Sequence, residues 1–397
     1  MTRIVFEPTR TAALTRLAQF LPHAGADYAR LRNFDVPGHP HVSALSPYLR
    51  HRVITEADVL EATLARHSPR AAEKFVQEVI WRTYWKGWLE NHPHVWHAYQ
   101  QSLRQEWDNV QTQDGLRQAW QAACTGDTGI ACFDHWAQEL VQTGYLHNHA
   151  RMWFASIWIF TLRLPWVLGA DFFLRHLLDG DPASNTLGWR WVAGLHTKGK
   201  TYLARPDNIA KYTQGRFDPR GQLAQTAPPL SEPDFKATAR AERPAPHIKG
   251  TRVGLILTPN DLSPAPLLAA CPMPAATALF SARDRSSPLK MAPDVCAFED
   301  GLMQDTAQRW GERLGPIDTS GNITDWANHH ELDQVLLYHQ TVGPEAEAIA
   351  TLFKTQFPQI DIAWLTRPYD RAAWPHANRG FFKFKSCLPQ LLDTIIA

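Results

Sequence analysis

Over the first 220 positions apolar residues recur mostly at three- and four-residue spacings, the period of an amphipathic helix. Residues 71–89 are the clearest case: Phe75, Val79, Trp81, Trp85 and Trp88 mark a proline-free stretch. Residues 135–160 predict a second long helix, broken near Gly144. Pro165 and Gly169 punctuate the next segment, and 171–178 predicts one more short helix. Strand signals are nearly absent from this half. Beyond residue 250 the period changes. Residues 253–258, 276–281, 334–338 and 360–365 are short apolar runs of strand length. Helical patterns at 298–314 and 344–357 separate them, with Pro344 well placed at a helix start. Strands alternating with helices predict a mostly parallel sheet with right-handed crossovers. Between the halves, 221–250 holds Pro228, Pro229, Pro233, Pro244 and Pro246, a density that resists helix and central strand alike. The expected organisation is a helical domain over 1–220, a linker over 221–250 and an α/β domain over 251–397.

Composition narrows the class. The 397 residues are 44% hydrophobic and 20% charged, ordinary globular material for two or three domains. No apolar run approaches the roughly 18–20 residues of a membrane helix, so no membrane partner is expected. The five cysteines are scattered without a CxxC pair, which argues against a disulfide framework or a zinc site and for a reducing, cytoplasmic setting. The net charge of +1 hides a split. Residues 1–250 carry 28 Lys+Arg against 23 Asp+Glu, and 251–397 carry 12 against 16. The first part suits a polyanionic partner, held weakly on charge alone. It also holds twelve of the sixteen tryptophans, all within 81–191. No GxGxxG or Walker loop follows any predicted strand, which excludes a Rossmann dinucleotide site and a P-loop.

Three segments concentrate polar residues among the aromatics. Glu78, Trp81 and Arg82 share one helix face at i, i+3 and i+4. Asn148, Arg151 and Met152 do the same in an apolar helix, where a buried arginine needs a partner. In 179–191 two acids flank Gly180, but the late bidentate glutamate of a calcium loop is missing, so no metal is expected. Asp179 is placed to neutralise Arg151. Asn148, Asn185 and Asp181 then remain as hydrogen-bonding groups for a planar polar ligand between indole walls.

These segments resemble the flavin-binding domain of the cryptochrome/photolyase family. Ser43-Ala-Leu45-Ser46-Pro-Tyr-Leu is similar to its phosphate-binding TSxLSPYL segment, and Glu78-Val-Ile-Trp81-Arg82 to its ELIWR helix. Thr143-Gly-Tyr-Leu-His-Asn148-His-Ala-Arg151-Met152 is similar to TGWMHNRLRM, and 177–191 to LIDGDLAANNGGWQW. Order and spacing are kept over roughly residues 10–220. The resemblance implies an all-helical domain holding a U-shaped FAD. It places Tyr28, Ser43, Leu45 and Ser46 near the phosphates. Arg82, Asn148, Arg151, Asp179, Asp181, Asn185 and Gly188 surround the flavin, with Asn185 at the position facing N5. Glu78, Trp81, Asn148, Met152 and Trp191 match the residues that contact a flipped pyrimidine dimer in the repair enzymes. Trp189 and Trp166 match the inner and middle members of an electron-transfer chain, with Trp107 nearest to the outer one. The implied function is light-driven repair of cyclobutane pyrimidine dimers in DNA by reduced FAD; the alternative is a blue-light photoreceptor with an unknown signalling partner.

Departures from the pattern matter. Val42 and Ala44 replace phosphate-segment residues, His149 replaces an arginine used on the DNA backbone, and Tyr145 replaces a tryptophan. Of 196–218 only the closing QGRFDP is kept. The family's α/β antenna domain precedes its flavin domain, whereas here the α/β pattern follows. Residues 252–267 and 379–385 weakly resemble that domain's opening strand and its end, so a circular permutation is expected. The charged residues of the first antenna motif are gone, and the antenna chromophore is unknown.

Overall fold

In the computed structural model, which describes residues 4–235, 237–238, 247–355 and 360–396, two unlike halves share one interface. The helical half runs α1 (Arg10–Phe20), α2 (Ala26–Leu31), α3 (Ser46–Arg50), α4 (Glu56–Arg66), α5 (Pro69–Asn91), α6 (Pro93–Thr112) and α7 (Asp114–Thr125). It continues with α8 (Ala131–Thr143), α9 (Asn148–Ser156), α10 (Trp166–His176), α11 (Pro182–Val192) and α12 (Pro206–Tyr212). The expected helix at 71–89 is the middle of α5, which Ser68 caps by accepting the Ala71 N–H and Pro69 opens. The break near Gly144 is real: this residue ends α8 in the left-handed region at φ +67°, which costs glycine nothing. The short helix expected at 171–178 starts earlier, at Trp166. Gly169 lies inside it because the Trp189 ring packs where a Cβ would stand.

The second half holds β1 (Val253–Leu257), β2 (Ala276–Leu279), β3 (Ile317–Asp318), β4 (Gln334–Tyr338) and β5 (Asp361–Leu365) in one parallel sheet of order β3-β2-β1-β4-β5. Leu255 registers with Thr277 on one side and Leu336 on the other. The inner strands are buried on both faces, which is why they read as continuous apolar runs. Leu267, Leu268 of α13 (Ala265–Ala270) and Ala307 of α14 (Pro293–Trp310) cover one face. Trp326 of α15 (Ile323–His329) and Ile349 of α16 (Pro344–Thr355) cover the other. The helix expected to reach Phe357 is described to Thr355, and Phe357 lies outside the described residues.

The described part of 221–250 forms neither helix nor strand, but it is laid on the helical half. Leu230 N–H donates to Ala193 O, and the Thr201 hydroxyl to Ala227 O. Pro244 and Pro246 lie outside the described residues. After β5 the chain returns to the helical half as α17 (Pro368–Ala373), α18 (Phe381–Lys385) and α19 (Leu388–Ile396). Tyr369, Trp374, Phe381 and Phe384 share one apolar core with Phe75, Val76 and Tyr84. A parallel sheet docked on the helical domain is the arrangement that the expected permutation requires.

Candidate functional site

The loop Leu177–Asp181 and α9 build the first pocket wall. Arg151 Nη2 donates to Asp179 Oδ2 at 2.8 Å, and its Nε to Leu146 O at 3.0 Å, so the pairing expected from burial is present. Asp179 is buried, yet its other oxygen has no partner among the described residues. Such an atom is costly unless a ligand or water donates to it. Asn148, Arg151 and Met152 share a face of α9; Asn148 is exposed and Met152 half-buried. His147 caps this helix by accepting the His149 N–H.

Asp181 caps α11 by accepting the Ser184 N–H at 2.8 Å. Its second oxygen lies 3.5 Å from Arg82, 3.7 Å from Lys86 and 3.9 Å from Arg50. Burial alone would raise the Asp181 carboxyl, but Lys86, Arg82 and Arg50 together hold it well below the usual range. Burial and the neighbouring Arg82 bring Lys86 down to about 8, against the pull of Asp181. Along α11, Asn185 Nδ2 donates to Ala170 O at 2.7 Å, leaving the amide oxygen without a partner among the described residues. Gly188, one turn on, faces open space: a Cβ there would meet nothing within 4 Å.

The phosphate-like segment lies beside this wall. Leu45 is fully buried and offers only its backbone, while Ser43 and Ser46 are half-buried, their hydroxyls free of partners among the described residues. Tyr28 is buried edge-on to Phe20 and Phe75. Ser184 Oγ on α11 is buried without a partner among the described residues, and Gly188 on the same helix has open space at its Cβ position. A planar ligand with a polar rim and a phosphate end fits them. Among the described residues no group of three or more His, Cys, Asp or Glu could hold a metal.

The expected dimer contacts are less free. Glu78 is paired with Arg32, an arginine that the helical pattern does not point to. Trp81 is covered on one face by Phe381 from α18, stacked at 3.5 Å between centroids and 7° between planes. Trp191 stacks on Tyr202 at 5.6 Å. Trp189 crosses Phe173 at 5.1 Å and sits on Gly169, one helical turn from Trp166. Trp166 in turn packs 5.7 Å from Tyr99 on α6. Trp107 lies two turns further along α6, about 12 Å on, half-buried against Trp120. Trp189 and Trp166 lie in one apolar core, and Trp107 packs against its edge.

Sequence reasoning misses a second polar centre, where the two halves meet. Arg52 donates two bonds to Asp370 at 2.6 and 2.7 Å and also reaches Glu56 and Asp261. Arg367 grips Asp261 at 2.6 and 2.7 Å. Arg50 bonds Asn260 at 2.7 Å. This cluster fills the crevice beyond β1 and β4, the place where α/β sheets of this order bind ligands. The remaining cavity is ≈ 20 Å³, room for one water.

The comparisons with known proteins bear on the helical half. The FAD binding domain of DNA photolyase matches residues 75–244. The helical half is a photolyase-type FAD-binding domain. The deoxyribodipyrimidine photo-lyase of Synechococcus is 34% identical over 196 residues, which is 47% of this chain and 39% of that protein. The Escherichia coli enzyme of the same name is 31% identical over 235 residues, 57% of this chain and 48% of its own. A class III photolyase structure from Agrobacterium tumefaciens covers 52% of this chain and 43% of its own, at 30% identity and a TM-score of 0.44. The chain spans about two fifths to one half of the curated relatives it matches. The family model ends at residue 244, before β1 of the α/β unit begins at Val253.

Proposed function

We propose that this chain binds FAD and repairs cyclobutane pyrimidine dimers in DNA with light. The observation that carries the reading is the half-matched wall. One Asp179 oxygen is held by Arg151, the other is buried without a partner among the described residues, and Gly188 of α11 has open space at its Cβ position. The names of the relatives agree with it. When bound, reduced FAD supplies a light-driven electron for ring cleavage.

The chain's own residues do the rest. Tyr28, Ser43, Ser46 and the Leu45 backbone hold the phosphate end. Arg82, Asn148, Arg151, Asp179, Asp181, Asn185 and Gly188 shape the flavin end. Glu78, oriented by Arg32, hydrogen-bonds the dimer where negative charge develops. Trp81 and Trp191 give aromatic faces to the flipped bases, and a damaged pair is the least costly to unstack. Trp189, Trp166 and Trp107 pass electrons inward from the surface. The test is to reduce the purified protein, illuminate it with a thymine-dimer oligonucleotide and follow recovery of pyrimidine absorbance. No recovery above a dark control overturns the reading.

A second reading, a blue-light photoreceptor, is favoured by one specific observation: Trp81 and Glu78 are already engaged, by Phe381 and Arg32. It keeps the electron route and drops the substrate. Photoreduction of the protein without dimer repair would select it.

A further inference from the structure

Trp81 lies on α5 one turn beyond Glu78, and its second neighbour is Trp85 at 5.1 Å. The face that a flipped base would use carries Phe381 instead, parallel and in van der Waals contact. Phe381 is held there by its own segment. The Tyr84 hydroxyl donates to Arg379 O at 2.8 Å, Phe384 is fully buried, and Lys385 pairs with Glu73 at 2.6 Å. Gly380 precedes the segment with nothing within 4 Å of a Cβ. The outer side of the same short helix is different. Phe382 is 85% exposed, and Arg379 and Lys383 are exposed beside it, a cationic and aromatic surface of the kind nucleic-acid strands stack and pair on.

Two flat rings cannot hold the same face at once. We propose that Phe381 is a specificity-determining residue: it takes the place of a base on Trp81, and only a nucleobase that stacks better than Phe381 enters. The inference rests on the repair reading and deepens it. A single undamaged base gives up its own stack and its pair to gain one aromatic face, so Phe381 excludes it. A dimer is already poorly stacked and offers two joined rings to Trp81 and Trp191, so it displaces Phe381. Arg379 and Lys383 then lie where the flanking phosphates pass.

The experiment compares the FAD-loaded wild type with Phe381→Ala and Phe381→Leu. The leucine variant keeps apolar volume without a flat face. Each is titrated with a thymine-dimer oligonucleotide and with the undamaged single strand. Both variants are expected to bind the dimer strand roughly 10-fold more tightly, and the undamaged strand by a larger factor, so that discrimination falls. Unchanged or weaker binding by a variant with wild-type circular dichroism overturns the proposal. The two readings separate cleanly. A wild-type preference for the dimer that falls in both variants, with no absorbance recovery of the dimer strand on illumination, keeps the gate and overturns repair. A wild type that prefers the dimer, with variants that match it, keeps repair and overturns the gate.

Discussion

A fold of this kind offers two clefts, and the protein treats them in opposite ways. At the carboxyl ends of β1 and β4 the buried Asp261 and Asp370 each meet an arginine, and Arg52 from the helical half occupies the crevice. Along α9 and α11 the charges are paired only halfway: Asp179 keeps an open oxygen and Gly188 an open side. The first cleft is closed by its own chain, whereas the second is finished by something the chain does not contain. Charged residues alone do not mark a ligand site; unmatched ones beside free space do.

The sharpest way to break this comparison is Arg52→Ala. Removing the guanidinium leaves Asp370, Glu56 and Asp261 buried together without their shared cation, and such a loss costs about 3–5 kcal/mol. Urea unfolding should show that loss, or the variant should fail to accumulate as folded protein. A cost under about 1 kcal/mol would mean the crevice is wet and the pairing incidental.

Acid comes next, and it probes both clefts at once. Burial depresses His51 at the interface and His147 at the pocket to about 3, and His196 beside Tyr84 likewise. Each stays neutral when folded but takes a proton near pH 6.5 when unfolded. Below 6.5 the unfolded state therefore binds more protons, and stability falls as pH drops toward 3. Each contributes a slope of roughly 1.4 kcal/mol per pH unit across that window. Burial opposes ionisation of Glu56, yet Arg52 and Arg82 hold it down to about 2, so its contribution is lost on acidification below its usual range. Unfolding free energies at pH 7 and pH 5 check the sum. A flat profile would show that these imidazoles reach water.

How much of this was legible beforehand follows from the range of the interactions. The α5 pattern and the inner strands are local and were readable from period alone. So was the Arg151–Asp179 pair, because an arginine set in an apolar helix calls for a carboxylate, although its side chain proves only half-buried. The two-residue strand β3 carries no period to read. Gly169 looks like a helix breaker until the Trp189 ring is seen lying on it. Arg52 bonds a carboxylate 318 positions away, and Phe381 meets Trp81 across 300 positions. Nothing at either end of such a contact announces the other.

The open cleft is tested more gently by Asp179→Asn. The amide keeps the size and a bond to Arg151 but removes the anionic acceptor, so a ligand N–H donating to it loses a charge-assisted bond. FAD retention through gel filtration should weaken about 10- to 100-fold while the fold persists. Full retention would place the cofactor elsewhere.

The smallest change divides the two clefts most cleanly. Gly188 lies inside α11 with helical backbone, where alanine is the better helix former by about 0.5–1 kcal/mol. A Cβ at this position touches nothing within 4 Å, so no protein atom resists it. In the FAD-free protein Gly188→Ala should therefore raise the melting temperature slightly. If the flavin lies against α11 as proposed, the same methyl takes up space it would use, and FAD affinity should fall. A variant that is stabilised and still binds FAD as wild type would show that the space at Gly188 belongs to solvent. A variant destabilised without FAD would show that the cleft closes on itself when empty, as the crevice at β1 and β4 does.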